Sequence, residues 1–249
     1  MAECLAKPYY LLQNILMMKP KVLFNYILVR LGIRKILPAE IINRIEVREC
    51  DEELIKVNVK EHPNIVLSQG NIVGRETVVQ KLYNVADILE KQGFKLYIYQ
   101  IYRSPEEQYR RHETVVNKIR QSHPELSEEE VLRQANRWSA GVGGGHQSGG
   151  AVDLTICDKD GNNIDMGTEY RENNKKTRTE NDFISSEQRK YREILKDAML
   201  DAGFVNYPAE WWHYCYGDKM WAAYSHKKYA IFDKVTSGMI PSLGETWED

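Results

Sequence analysis

Between Gly143 and Ile156 the chain reads Gly-Gly-Gly-His-Gln-Ser-Gly-Gly-Ala-Val-Asp-Leu-Thr-Ile, and no other stretch limits the possible folds so strongly. Glycines 143, 144, 145, 149 and 150 flank His146 on both sides. Glycine adopts turns closed to other residues and lets backbone come close to a neighbour or a ligand. The run then passes directly into a strand pattern, with Asp153 set between Val152 and Leu154. A carboxylate inside an apolar strand is costly unless it is paired or coordinated. The segment therefore demands a sheet whose interior holds a partner for Asp153.

A second place breaks the ordinary pattern: Glu210-Trp211-Trp212-His213-Tyr214. Two tryptophans between a glutamate and a histidine supply a dry, rigid wall. His146, Asp153 and His213 together offer two imidazoles and one carboxylate, a set that fits Zn²⁺ with the fourth position left to water. Zinc lowers the pKa of such a water toward ~7, and Glu210, kept off the metal, is placed to take its proton. A fourth protein ligand would close the site and make it structural. Each piece has a plainer alternative. His146 alone reads as a turn residue, Asp153 as a cap or a buried pair partner, and Glu-Trp-Trp-His as an aromatic core strand. Cys215, two residues after His213, shares its strand face and is either a soft ligand or a buried free thiol. The other histidines, His62, His112, His123 and His226, sit among charged or loop residues and read as solvated.

The rest of the chain supplies a scaffold. At 42% hydrophobic and 28% charged residues it can bury a core. A formal net charge of −2 argues against sequence-independent nucleic-acid binding, which needs a basic excess. Four scattered cysteines form no CxxC pair, so neither a disulfide framework nor a zinc finger is indicated. Lys56–Val59 alternates as a strand does. From Arg75 to Lys91 the spacing of Val78, Leu82, Val85 and Leu89 predicts an amphipathic helix stopped at Gly93. Phe94–Tyr102 reads as a buried strand with Arg103 at its end. Ser104-Pro-Glu-Glu107, Ser127 with Glu130 and Ser185 with Gln188 read as capping boxes. Residues 170–182 read as a polar loop. The division expected is a basic, mostly helical extension over 1–44, a main domain over 45–235 and a tail over 236–249.

The joint pattern is more specific than its parts. His146-x-x-Gly149-x-Ala151-x-Asp153 followed by Glu210-x-x-His213 resembles the signature of the zinc D-alanyl-D-alanine peptidases of family M15. Ile72-Val73-Gly74, Tyr102-Arg103-Ser104, Asp153-Leu154-Thr155, Met166-Gly167-Thr168 and Gly203-Phe204 make it similar to the VanX-type dipeptidase branch, over roughly residues 70–225. The resemblance implies an α+β fold, with a central antiparallel sheet carrying the zinc site, flanking helices on one side, and a small peptide such as D-Ala-D-Ala as substrate. It implies that His146, Asp153 and His213 hold zinc, that Glu210 is the catalytic base, and that Arg103 stabilises the oxyanion. A guanidinium beside a polarised carbonyl suits that charge independently.

Two positions depart from the family. Gly144 stands where a serine is usual, two residues before His146. After Met166-Gly-Thr and Tyr170, Arg171 stands where the dipeptidases place an aspartate toward the substrate's ammonium. Either Arg171 faces the substrate or a shifted loop brings in Glu172. The rival functions are a D,D-carboxypeptidase acting on a peptidoglycan stem, a non-catalytic binding module on the zinc scaffold, such as the hedgehog signalling domain, and a metal-stabilised structural domain. The N-terminal segment lacks a convincing signal-peptide pattern, so a cytoplasmic protein is expected, with a periplasmic or cell-surface location as the alternative. Its basic character also permits contact with a membrane surface.

Overall fold

The structure, a computed structural model, describes residues 19–138, 144–172 and 174–236. The Tyr9–Leu12 cluster, Gly143 and the tail beyond residue 236 lie outside the described residues. The chain divides into two units, Met1–Ile45 and Glu46–Asp249. In the first, helix α1 (Pro20–Arg30) opens on a proline, and α2 (Ala39–Asn43) follows Pro38. Neither helix has a buried residue, and Phe24, Ile27, Leu31 and Ile33 are exposed. No described helix is long and apolar enough to cross a membrane.

The second unit runs β1 (Glu46–Val47), β2 (Leu54–Lys56), β3 (Ile65–Leu67), β4 (Val73–Arg75), α3 (Glu76–Glu90) and β5 (Lys95–Gln100). It continues with α4 (Pro105–Ser122), α5 (Glu128–Trp138), a 3-10 turn at Gly145–Ser148, β6 (Ala151–Cys157) and a second 3-10 turn at Lys175–Thr177. Then come α6 (Ser186–Asp201), β7 (Val205–Asn206), β8 (His213–Cys215), α7 (Lys219–Tyr224) and β9 (Tyr229–Ala230). The main sheet has the order β3-β5-β6-β8-β7. The fold is α+β, as expected.

The central sheet is antiparallel, as expected, with one parallel pair at its edge, β3–β5. Parallel neighbours need a long crossover, and β4 with α3 provides it. The strand expected at Lys56–Val59 lies at Leu54–Lys56 instead, paired with β4. It stops because Asn58 N–H turns to the Tyr83 hydroxyl at 3.0 Å rather than to a neighbouring strand.

The helix expected at Arg75–Lys91 forms as α3, with Val78, Val79, Leu82, Tyr83, Val85, Ala86 and Leu89 buried. Burial of each valine or leucine among them contributes about 1.5–3 kcal/mol. Together with Leu195, Ala198 and Met199 of α6, these residues cover Leu96 and Ile98 of β5 and Val152, Leu154 and Ile156 of β6. Alternation along β6 then sends Asp153 to the opposite face of the sheet. The capping box at Ser185 is complete. At Ser104 only half forms: Ser104 Oγ accepts from Glu107 N–H, but Glu107 Oε1 accepts from Gln100 instead.

Candidate metal centre

Register brings the candidate residues together. Asp153 in β6 pairs directly with His213 in β8. A pair in register has side chains on one face, so the imidazole and the carboxylate meet across the strands. His213 Nδ1 lies 2.9 Å from Asp153 Oδ1. His146 arrives from the 3-10 turn just before β6, and its Nε2 lies 3.3 Å from the same oxygen. One ligand atom from each of the three residues falls within 4.8 Å of the others, and all three residues are buried.

The glycines explain how His146 gets there. Gly149 has φ +72°, and a Cβ on it would meet Leu54 Cδ2 at 2.7 Å. A Cβ on Gly145 would run into Asp218 Oδ2. At these two positions the close approach is to the protein's own side chains. His146 is then tied twice to the end of β5. Its Nδ1 lies 2.7 Å from Ile101 O, and its own carbonyl accepts Arg103 N–H at 3.1 Å. A proton on Nδ1 shared with Ile101 O leaves the Nε2 lone pair directed at the cluster, the usual outer support of a metal-bound histidine. Burial lowers the His146 pKa to about 4, so the ring stays neutral.

Asp153 is supported in the same way. Tyr170 donates its hydroxyl to Oδ2 at 2.7 Å, leaving Oδ1 between the two imidazoles. Burial alone would raise the Asp153 carboxyl, but His146 and His213 hold it well below the usual range. Burial disfavours a proton on His213, yet contact with Asp153 outweighs it and raises that ring's pKa. Two imidazoles and one carboxylate, each backed by an outer hydrogen bond or contact, fit a divalent ion with an open coordination position. Cys215 lies behind the cluster. Its Sγ is 3.3 Å from His213 Nε2, the ring nitrogen turned away from Asp153, and 3.7 Å from the Met220 sulfur. The buried-thiol alternative is the one that matches this position.

Glu210 sits in the turn that leads into β8, with Oε2 4.0 Å from His213 Nδ1. Its side chain keeps 37% exposure, enough for solvent to reach it. Burial against the pocket wall raises its pKa, and the charge on Asp153 adds to this. Asn206 Nδ2 holds the turn through the carbonyls of Glu210 and His213. Trp211 anchors it by donating Nε1–H to Thr168 Oγ1 at 2.8 Å. Arg103 is 5% exposed, not a surface arginine, and Nη2 lies 3.8 Å from Asp153 Oδ2. Burial lowers its pKa to about 10, helped by the charges of Arg111 and Arg171.

Several neighbours escape a reading of the sequence. Gln100 accepts from Arg103 Nε at 2.9 Å, and Gln108 accepts from Arg103 Nη1 at 2.7 Å. The pairing Ile98↔Leu154 followed by Gln100↔Asp153 marks a β-bulge. One extra residue moves Gln100 from the core face to the face of Asp153. Its signal in the sequence is only a glutamine where an apolar residue would continue the alternation. In the 170–182 loop, Arg171 and not Glu172 faces the site. Arg171 takes φ +62° and donates Nη2–H to Gln100 Oε1 at 2.8 Å. Glu172 accepts from the Glu169 N–H and from Asn174 within its own loop. The loop is less polar in place than in sequence. Thr177 and Thr179 are buried, and Tyr170 stacks on Tyr99 with centroids 3.9 Å apart. Of the other histidines, His62 is not simply solvated but stacks on Tyr83 at 3.4 Å.

The chain is 31% identical over 103 residues to a D-alanyl-D-alanine dipeptidase of Synechocystis sp., covering 36% of this chain and 41% of that protein. It is 34% identical over 73 residues to the Escherichia coli D-alanyl-D-alanine dipeptidase, covering 29% and 38%. The match thus spans about two fifths of the length of these two relatives. To the Enterococcus faecium D-alanyl-D-alanine dipeptidase it is 26% identical over 161 residues, covering 60% and 76%. Among solved structures, a VanY D,D-pentapeptidase variant in complex with Zn(II) aligns at 18% identity and a TM-score of 0.44, covering 66% of this chain and 84% of that one. VanYB in complex with D-alanine-D-alanine aligns at 18% identity and 0.43, covering 65% and 82%. Residues 56–234 fit the Peptidase M15 model, described as D-ala-D-ala dipeptidase, and that span holds Arg103, His146, Asp153, Glu210 and His213; the chain belongs to this family.

Proposed function

We propose that the protein is a zinc-dependent hydrolase of the peptide bond in D-alanyl-D-alanine. The observation that carries the reading is the His146–Asp153–His213 cluster with Glu210 at 4.0 Å from His213 and Arg103 at 3.8 Å from Asp153. His146 Nε2, Asp153 Oδ1 and His213 Nδ1 would hold the ion. Bound zinc supplies a Lewis acid that polarises the scissile carbonyl and acidifies water. Glu210, with its raised pKa, takes the proton of the attacking water and returns it to the leaving amine. Arg103, held by Gln100 and Gln108, donates to the oxygen that becomes negative in the transition state. Tyr170, whose hydroxyl holds Asp153, meets Trp212 edge to face with ring centroids 5.7 Å apart.

A second reading, trimming of the terminal D-alanine from a longer stem peptide, is favoured by Arg171, whose charge repels a free ammonium. Assays of D-Ala-D-Ala and of a stem pentapeptide, with and without zinc, test both. Glu210→Gln should retain zinc and lose at least ~10²-fold in turnover, the usual scale of a missing general base. Near-normal turnover at equal zinc content would remove Glu210 from the mechanism. Failure of both peptides to be cleaved by the zinc-loaded protein would leave the non-catalytic binding module.

A further inference from the structure

Two guanidiniums meet on one side-chain carbonyl beside the cluster, and a third bears on the same pocket with a buried nitrogen that has no hydrogen-bond partner among the described residues. Gln100 Oε1 accepts from Arg171 Nη2 at 2.8 Å and from Arg103 Nε at 2.9 Å. Arg111, on α4, has Nη1 buried with no hydrogen-bond partner among the described residues. The Arg111 charge acts on Arg103, Tyr170 and Glu210 together, so it bears on the same pocket from the helix side. Leaving a buried charged donor unpaired is costly, and grouped like charges repel unless an anion lies between them.

The carboxylates at hand fill that role only for Arg103, which lies 3.8 Å from Asp153 Oδ2 and 4.0 Å from Glu107 Oε1; among the described residues Arg111 and Arg171 have no ion pair. Asp153 gives Oδ2 to Tyr170 and turns Oδ1 to the imidazoles. Glu107 accepts from Gln100 and is 48% exposed. Glu172 is committed to its own loop. A divalent ion in the cluster would make the pocket more positive still. Arg171 also carries the cost of a left-handed backbone, uncommon for a residue with a Cβ and frequent at functional sites.

We infer that Arg111 and Arg171, with Arg103, form a carboxylate-binding subsite at the edge of the metal pocket, so that the substrate is selected by a negative charge close to its scissile bond. Arginine suits this task because its planar fork matches a carboxylate. The location of the scissile bond rests on the hydrolase reading above. The carboxylate comes either from the C-terminal D-alanine or from an acidic group on the acyl side, and the experiment separates the two.

The test is titration calorimetry on the full-length, zinc-loaded Glu210→Gln protein. The ligands are D-Ala-D-Ala, N-acetyl-D-Ala-D-Ala, N-succinyl-D-Ala-D-Ala and N-acetyl-D-Ala-D-alaninamide. An acyl-side source makes the succinyl form bind at least ~10-fold tighter than the acetyl form, as expected for a desolvated charge pair. A terminal source makes the acetyl acid bind tighter than its amide by a similar factor. In either case the preference disappears in Arg111→Gln and Arg171→Gln and largely survives in Arg111→Lys and Arg171→Lys, which also control for folding. Added salt weakens it. Equal binding of charged and neutral forms, or a preference that survives both glutamine variants, overturns the subsite. Turnover of the unmodified protein on the same peptides is read separately. Hydrolysis without charge preference keeps the hydrolase reading and removes the subsite. Arginine-dependent binding without hydrolysis does the reverse.

Discussion

Asp153 is the residue on which the site turns, because each of its oxygens has a separate task. Oδ1 lies between His146 and His213, and Oδ2 accepts from the Tyr170 hydroxyl at 2.7 Å. Burial raises the Tyr170 pKa, so the phenol remains a donor at neutral pH. Tyr170→Phe removes that donor while keeping the ring stacked on Tyr99 and edge-on to Trp212. Zinc affinity should then fall by ~10-fold or more, the usual effect of losing an outer hydrogen bond to a ligand, with the far-ultraviolet circular dichroism unchanged. Competition with a fluorescent zinc chelator measures this, and an unaltered affinity would mean that Oδ2 needs no support.

Among the elements, β5 and the 166–178 loop do most to shape the pocket. The bulge after Ile98 puts Gln100 opposite Asp153, where it accepts from two arginines. The loop is held from below by Arg192 of α6. Arg192 is 2% exposed and donates to the carbonyls of Met166 at 2.7 Å, Lys176 at 2.9 Å and Arg178 at 2.7 Å. Hydrogen bonds to a charged group contribute about 1.5–3 kcal/mol each. Arg192→Met should therefore cost at least about 2 kcal/mol of stability in chemical denaturation. It should also raise KM more than it lowers kcat, because the loop carries Tyr170 and Arg171 but not Glu210. A stability loss with KM unchanged would show that the loop keeps its place without Arg192. None of these carbonyl contacts is legible in the sequence, where Arg192 reads as one more polar residue on an amphipathic helix.

For the whole molecule, metal and fold should be thermodynamically linked. His146, Asp153 and His213 come from a 3-10 turn and two strands, and only the folded chain assembles them. An ion that binds the native state alone adds about 2.7 kcal/mol at a free concentration 100 times Kd. Saturating zinc should thus raise the melting temperature by roughly 5–10 °C over the chelated protein, taking about 2–4 °C per kcal/mol for a domain of this size. An unchanged melting curve would mean that the cluster does not bind zinc in the folded state. The sequence by itself determined the local physics. The apolar stripe of α3, the box at Ser185 and the glycine-flanked histidine follow from spacing and from the few conformations each residue type allows. It also marked His146, Asp153, Glu210 and His213 as out of place in an ordinary core. What only the tertiary structure decided depends on register and on long-range contact. One parallel pair, β3–β5, joins the otherwise antiparallel central sheet because a helix crosses over between its strands. A one-residue bulge turned Gln100 toward Asp153. Arg171 rather than Glu172 came to face the pocket because Glu172 caps its own loop. Arg111, eight residues beyond Arg103 in sequence, brings its charge to bear on Arg103, Tyr170 and Glu210 only through the fold, and nothing in its neighbours along the chain distinguishes it from a solvated arginine.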